Sequence, residues 1–312
     1  MPEVIFNRLA IIGTGLIGSS IARAARAKGI VKTIVATART EKTRKRVVEL
    51  GFADVVVDKN ALAAMDADCV IVCVPVGACA EVAKEIGKAL KPGAIVSDVG
   101  SVKGAIIRDM APFLPKNVHL VPGHPVAGTE HSGPDAGFAE LFENRWCILT
   151  PPDDADAAAV KKMEEFWQAL GSYVEVMNAE HHDLVLAVTS HLPHLIAYNI
   201  VGTAADLESR TLLEVIKFSA GGFRDFTRIA ASDPTMWRDV FLNNKDAVLE
   251  MLGRFNEDLS LLTRAIRNGD GDTLFDLFTR TCAIRRSIIE VGQETDEADF
   301  GRRHAEHPEG KK

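Results

Sequence analysis

Six residues near the amino terminus, Gly13-Thr14-Gly15-Leu16-Ile17-Gly18, have the spacing of a phosphate cradle. They follow an apolar run at 9–12 and open a helical pattern. In such a loop the first glycine permits a tight turn and the second lets the backbone approach a pyrophosphate. The third lets the helix pack close to the strand, while free N–H groups and the helix dipole favour the anion. The implied chemistry is dinucleotide binding, by Gly13, Thr14, Gly15, Leu16, Ile17 and Gly18. The plain alternative is a glycine-rich structural turn.

The next apolar run bears on which dinucleotide is held. An acid about 20 residues beyond the glycines would bind the ribose hydroxyls of NAD. Here the run ends Ala36-Thr37-Ala38-Arg39-Thr40, with Lys42, Thr43 and Arg44 following. A guanidinium at Arg39 suits a 2′-phosphate, and the hydroxyls of Thr40 and Thr43 can add hydrogen bonds. The expectation is NADP, with NAD as the alternative; Arg39 otherwise stacks on the adenine or sits solvated. Val74 and Pro75 end the most apolar run, and Asp98-Val99-Gly100-Ser101-Val102-Lys103 ends the one after it. In a doubly wound sheet ligands lie outside these carboxyl ends. Ser101 then either caps the following helix or points into the cleft.

Other side chains capable of chemistry lie further on. His191 and His194 are three residues apart, on one helix face, with His181 and His182 upstream. Neither an HExxH pattern nor a CxxC pair accompanies them, so no metal site is expected. Arg228 either holds an anion or pairs internally with Asp225 or Glu214. Trp237 reads as packing, with a site role left open by its nearness to Arg228.

The elements that must position these groups alternate in the first half. Strands are expected at 9–12, 33–37, 54–57, 69–74, 94–98 and 118–122. Helices are expected at Leu16–Lys28, Glu41–Leu50, 76–90 and 102–113. That order gives a parallel sheet covered on both faces. A polar, glycine-rich loop follows at 123–137, then strands Trp146–Leu149 and Tyr173–Val176 around a helix at 156–170. Beyond about residue 177 the pattern is helical, at 179–207, 212–218, 235–266 and 272–289. The expected division is a Rossmann-like dinucleotide-binding domain over 1–177 and an all-α substrate and dimerisation domain over 178–292. A polar tail over 293–312 is expected to be mobile.

A net charge of -7 and a pI near 5.8 offer no basic excess for neutralising phosphates, which argues against a nucleic-acid partner. No signal core and no bilayer-spanning apolar stretch stand out, so no membrane association is expected. The five scattered cysteines read as free thiols in a reducing cytoplasm.

The segment Gly123-His124-Pro125-Val126-Ala127-Gly128-Thr129-Glu130, with the Asp98 to Lys103 stretch before it, resembles the prephenate/arogenate (cyclohexadienyl) dehydrogenases of the TyrA type. Two further segments carry the resemblance. One is Ser190-His191-Leu192-Pro193-His194. The other is Gly221-Gly222-Phe223-Arg224-Asp225-Phe226-Thr227-Arg228-Ile229-Ala230, followed by Ser232-Asp233-Pro234 and Trp237. The resemblance spans about residues 8–290 and is to the monofunctional form, without a chorismate mutase region. It implies that His124 is the catalytic base and that Ser101 hydrogen-bonds this histidine and the substrate hydroxyl. Ser190 and His194 are implied to line the substrate site, and Arg228 to hold a substrate carboxylate. Arg224 stands where some members carry a gating lysine; the charge is kept and the shape is not. The resemblance further implies a homodimer and inhibition by tyrosine.

The chemistry requires such groups. Hydride leaves a hydroxyl-bearing ring carbon for the nicotinamide, and neutral His124 suits the hydroxyl proton near pH 7. Loss of CO2 aromatises the ring and supplies much of the drive, so no metal or Schiff base is needed. The dianionic substrate calls for cations, Arg228 first and Arg224 second. Two rivals are a β-hydroxyacid dehydrogenase and a nonenzymatic NADP-binding sensor. The first expects a lysine on the helix that here carries His191-Leu192-Pro193-His194, and the second expects loss of His124, Ser101 or Arg228.

Overall fold

The computed structural model describes residues 3–129, 131–206 and 221–290. Glu130, Glu214, the helix expected at 212–218, and the tail at 293–312 with His304 and His307 lie outside the described residues.

Strands β1 (Phe6–Ile12), β2 (Val31–Thr37), β3 (Val55–Val57), β4 (Cys69–Val72), β5 (Ile95–Asp98) and β6 (His119–Leu120) form one parallel sheet in the order β3-β2-β1-β4-β5-β6. Helices α1 (Leu16–Lys28), α2 (Glu41–Leu50), α3 (Asn60–Ala64), α4 (Cys79–Ile86) and α5 (Gly104–Met110) connect them. The order reverses between β1 and β4, so the crevice at the carboxyl ends of β1 and β4 is the natural ligand position.

Alternation along the strands builds both faces of the core. Leu9 and Ile11 of β1, with Cys69 and Ile71 of β4, pack with Phe142, Phe166 and Trp167. Ala10 and Ile12, with Val70 and Val72, pack with Ala83, Ile86 and Ile106 on the opposite face. All these strand positions are fully buried, which is why the strands read as unbroken apolar runs.

A second, three-stranded sheet comprises β7 (Gly123–Pro125), β8 (Trp146–Leu149) and β9 (Tyr173–Val176), with α6 (Ala157–Ala169) between β8 and β9. β7 was expected to be loop. Its three residues, one glycine and one proline, carry no strand signal of their own, and antiparallel pairing with β8 creates it. Pro125 sits on the outermost strand, where a missing N–H is tolerated.

From Ala179 the chain runs helically to Ala205: α7 (Ala179–Leu186), a π-helical turn (Ala187–His191) and α8 (Leu192–Ala205). By length and composition this run is apolar enough to cross a membrane, contrary to expectation, and 28% of its most apolar window is buried. Then come α9 (Gly221–Thr227), α10 (Pro234–Asn243), α11 (Lys245–Asn268) and α12 (Gly271–Glu290). The single helix expected at 235–266 is interrupted at Asn244, whose side chain is committed elsewhere, as described below.

Residues up to Met251 form one compact unit and those from Leu252 a second. In the second unit Leu261, Ile266, Phe275, Phe278 and Ile284 are exposed.

Candidate active site

The carboxyl edge of the large sheet carries the glycine loop. Gly13 has a φ of +96°, and a Cβ there would lie 2.5 Å from the Cys73 carbonyl oxygen and 3.1 Å from Val74. At Gly18 a Cβ would lie 2.1 Å from the Gly13 carbonyl oxygen. Protein packing alone therefore demands both glycines. Gly15 differs, because a Cβ there would meet nothing within 4 Å. Open space at a helix N-terminus fits the close approach of a pyrophosphate. Beside it, the buried Thr14 hydroxyl has no partner among the described residues, and such a group is stabilised by a ligand oxygen. Leu16 and Ile17 turn partly into the core. The loop therefore fits a dinucleotide.

At the tip of β2, Arg39 is exposed. Thr40 caps α2 by accepting the Thr43 N–H at 3.1 Å, and the two hydroxyls pair at 2.7 Å. Arg44 braces the turn by donating to the carbonyls of Ala38 at 2.8 Å and Arg39 at 3.1 Å. The threonines thus have a structural task in the free protein, while the Arg39 side chain stands at the surface. Pro75 is also exposed, one residue beyond Val74.

His124 sits on β7 and is 8% exposed. Its Nδ1 lies 2.9 Å from Nε2 of His182, and Nδ1 of His182 lies 2.8 Å from Oδ1 of Asp183. Asp183 also accepts the main-chain N–H of Lys103 at 2.7 Å and of Gly104 at 2.8 Å. It thereby caps α5 from across the chain, so Ser101 does not perform that task. A carboxylate only accepts, so the proton of His182 rests on Nδ1 and its Nε2 is an acceptor. His124 must then donate from Nδ1, leaving the Nε2 lone pair free. Burial, above all, holds the His124 ring well below the usual imidazole range, with His182, Lys103 and His191 adding to the effect. This is a neutral histidine with one basic nitrogen available.

His191 is fully buried and accepts from Asn244 Nδ2 at 3.1 Å. Asn244 also donates to the Asp183 carbonyl at 2.8 Å. The break between α10 and α11 therefore anchors the histidine network from behind. Burial, first of all, lowers His191 to about 4.

His194 lies on the same helical run. Its Nδ1 donates to the Ser190 carbonyl at 2.8 Å, and its ring stacks on Trp237 at 3.6 Å between centroids. Burial lowers its pKa most, and the charge of Arg228 lowers it further, which places that guanidinium in the same neighbourhood. Tyr198 donates to the Ser232 carbonyl at 2.8 Å, tying α8 to the turn after Arg228. Trp237 is 6% exposed, so it both packs and forms the wall behind His194. Arg228 and Arg224 are exposed, and Arg224 pairs with Asp225 at 3.2 Å.

The structure thus gathers His124, the Ser101 to Lys103 turn and the 182–191 segment into one network. Ser190 and His194 on the 179–205 run form a second group with Trp237 of α10, which stacks on His194, and with Arg228 on the turn after α9. Among the described residues, Arg224 hydrogen-bonds its neighbour Asp225 and joins neither group. His182, Asp183, Asn244, Asp98 and Lys103 were not singled out as site residues from the sequence. Most of their other partners lie far off along the chain; the local contacts are those between the adjacent His182 and Asp183 and between Asp98 and Lys103, five residues apart.

Comparison with known proteins matches two family patterns. Residues 21–176 match the prephenate dehydrogenase nucleotide-binding domain, and residues 178–280 the prephenate dehydrogenase dimerization domain. A cyclohexadienyl dehydrogenase of Zymomonas mobilis is 43% identical over 284 residues, covering 91% of this chain and 97% of that protein. A prephenate dehydrogenase of Aquifex aeolicus, solved with hydroxyphenyl propionate and NAD+, superposes with a TM-score of 0.85 at 35% identity, covering 90% of this chain and 98% of that one. An arogenate dehydrogenase of Synechocystis superposes with a TM-score of 0.76 at 26% identity, covering 90% and 99%.

Proposed function

This chain belongs to the prephenate dehydrogenase family, and we propose that it is a cyclohexadienyl dehydrogenase that oxidatively decarboxylates prephenate, arogenate or both. It is an oxidoreductase with a Rossmann-type nucleotide-binding domain and a helical dimerisation domain. Neither a β-hydroxyacid dehydrogenase nor a nonenzymatic sensor is favoured. The observation that carries the reading is the buried chain from Asp183 through His182 to His124.

A bound nicotinamide supplies the hydride acceptor. His124 draws the ring hydroxyl proton to Nε2 as hydride leaves the carbon, and returns it to the oxygen once the ring is aromatic. Electrons from the breaking bond to CO2 fill the ring. His182 keeps Nδ1 of His124 bonded throughout, and Asp183 opposes the charge of the transient imidazolium. Ser101, beside this network, orients the hydroxyl. His194 and Ser190 line the substrate position, and Arg228 takes a carboxylate through a guanidinium pair. Arg224 is the second cation.

Arg39 supports NADP as the preferred cofactor with NAD also accepted, the exposed guanidinium meeting a 2′-phosphate. Thr40 and Thr43 flank it, and Val74 and Pro75 border the cofactor crevice. The nucleotide-binding domain ends near Met177, and the helices of 178–292 form the substrate and dimerisation domain. A homodimer is supported by exposed apolar positions on the 179–205 run, Val188, Ile200 and Val201, which a second copy would bury. Tyrosine, sharing the side chain and carboxylate of arogenate, is the expected competitive inhibitor. The five free thiols suit a cytoplasmic enzyme.

The test is the initial rate at 340 nm with NAD or NADP crossed against prephenate or arogenate. Turnover with either acid supports the reading, and the faster cofactor reports on Arg39. Absence of turnover in all four mixtures, with cofactor binding intact, would overturn it.

A further inference from the structure

The strand carrying His124 leaves one sheet for the other within three residues. Val121 still donates its N–H to the Val96 carbonyl of β5 at 2.9 Å, and Thr150 donates to the Pro122 carbonyl at 2.9 Å. By Gly123 the chain is already paired with Leu149 of β8. At this crossing stand two charged side chains, Asp98 and Lys103, both with no exposed surface. Their ion pair is 2.5 Å long.

Each charge also grips Gly123, the residue before His124. Lys103 Nζ donates to the Gly123 carbonyl at 2.7 Å, and the Gly123 N–H points to Asp98 Oδ1 at 3.3 Å. Asp98 Oδ2 further accepts the Gly100 N–H at 2.7 Å. A Cβ at position 123 would lie 3.3 Å from the Asp98 carbonyl oxygen and from Leu149, so the crossing has little room to relax. A buried ion pair is a poor source of net stability but a precise way to specify one arrangement.

We propose that Asp98 and Lys103 are a buried positioning pair that fixes His124 by holding both main-chain polar groups of Gly123. The proposal rests on the reading of His124 as the base. Lys103 does not touch the reacting atoms; it acts through the peptide it holds and through its charge. The groups facing His124 are His182 from α7, His191 from the π turn, Lys103 ahead of α5 and the Cys147 thiol on β8. Asp98 and Asp183 are the acids behind them. Lys103 is the fixed cation among these, and it opposes protonation of His124.

The experiment is a 13C-histidine NMR titration of the full-length protein, with the His124 signal assigned by its loss in H124N. It is run alongside kcat and KM for wild type, K103M and the double variant D98N/K103M. The double variant leaves no charge unpaired in the interior, so it keeps the test open should K103M fold poorly. In wild type the His124 signal is expected to titrate well below the usual imidazole range. In either variant its midpoint is expected to rise by about one pH unit, with kcat at least tenfold lower and the KM for the dinucleotide unchanged. A folded variant with the wild-type titration and wild-type kcat would overturn the proposal. Should the wild type lack turnover while the His124 midpoint still shifts, the positioning stands and the reading of the base fails.

Discussion

Nδ1 of His124 and Nε2 of His182 lie 2.9 Å apart, with the two rings edge to face and His182 closed off from solvent. Two neutral imidazoles in this arrangement share one proton, and Asp183 on the far side of His182 decides which nitrogen carries it. Their order along the chain gives no hint of this. The relation arises because β7 and α7 converge beside the start of α5, where Asp183 also serves as the cap.

Substituting His182 by leucine removes the acceptor for His124 Nδ1 and frees the ring to adopt the unproductive tautomer. The expected result is a kcat lowered roughly 100-fold, within the range for general acid–base assistance. The Kd for the dinucleotide, measured by fluorescence titration, should be unchanged. A D183N protein should lose activity for the same reason and also melt earlier, since one of two capping acceptors is gone, at a cost of about 1 kcal/mol.

Acid should destabilise the protein well before its carboxylates are neutralised. His124, His182, His191 and His194 all have folded-state pKa values depressed below 6.5, chiefly by burial. The unfolded chain therefore binds more protons than the native one between 6.5 and those lower values. Stability is full above about 6.5 and falls as the pH drops through that window, by up to about 1.4 kcal/mol per pH unit for each histidine. Asp98, pushed upward by burial, works in the opposite sense at the acid end. Thermal melts between about pH 7.5 and 5 check this; a flat Tm over that range would contradict it.

Arg228→Ala should act on substrate rather than on chemistry. Loss of a charge-assisted contact to a carboxylate is expected to raise the substrate KM by a factor of about 10 to 100, or roughly 1.4–3 kcal/mol, with a smaller effect on kcat. Steady-state rates at fixed dinucleotide test it, and an unchanged KM would count against the contact.

The tip of β2 separates two tasks. Arg39→Ala is expected to lower kcat/KM with NADP by about tenfold or more, one charge-assisted bond, and to leave NAD nearly untouched. Thr40→Ala should instead cost about 1 kcal/mol of stability through the α2 cap. It should leave the ratio between the two cofactors nearly constant. Rates with each cofactor and denaturant melts of the two variants distinguish these effects.

Much of the large sheet was legible in the sequence. The apolar runs of β1 and β4 are buried on both faces, and the glycine loop is tied to its position by contacts that only glycines allow. His124 and Arg228 are singled out through the motifs that carry the resemblance, and their roles are the ones proposed above. What could not be read was the support behind them. β7 exists only because β8 accepts it. Asn244 breaks a periodic helix because its side chain bridges Asp183 and His191. Thr40, expected to add a hydrogen bond to a 2′-phosphate, also caps α2 through the Thr43 N–H. The partners of β7 and of Asn244 lie far along the chain, where local sequence does not name them.

The base assignment at His124 is tested most directly by His124→Asn, which keeps a polar side chain of similar reach but has no ring nitrogen to take a proton. The measurement is a single-turnover rate of reduced-dinucleotide formation at 340 nm with saturating cofactor and prephenate or arogenate, whichever the wild type turns over. A rate lowered by a factor of about 100 to 10,000 with unaltered cofactor affinity is predicted. A His124→Asn protein that binds cofactor and turns over at the wild-type rate would contradict the account.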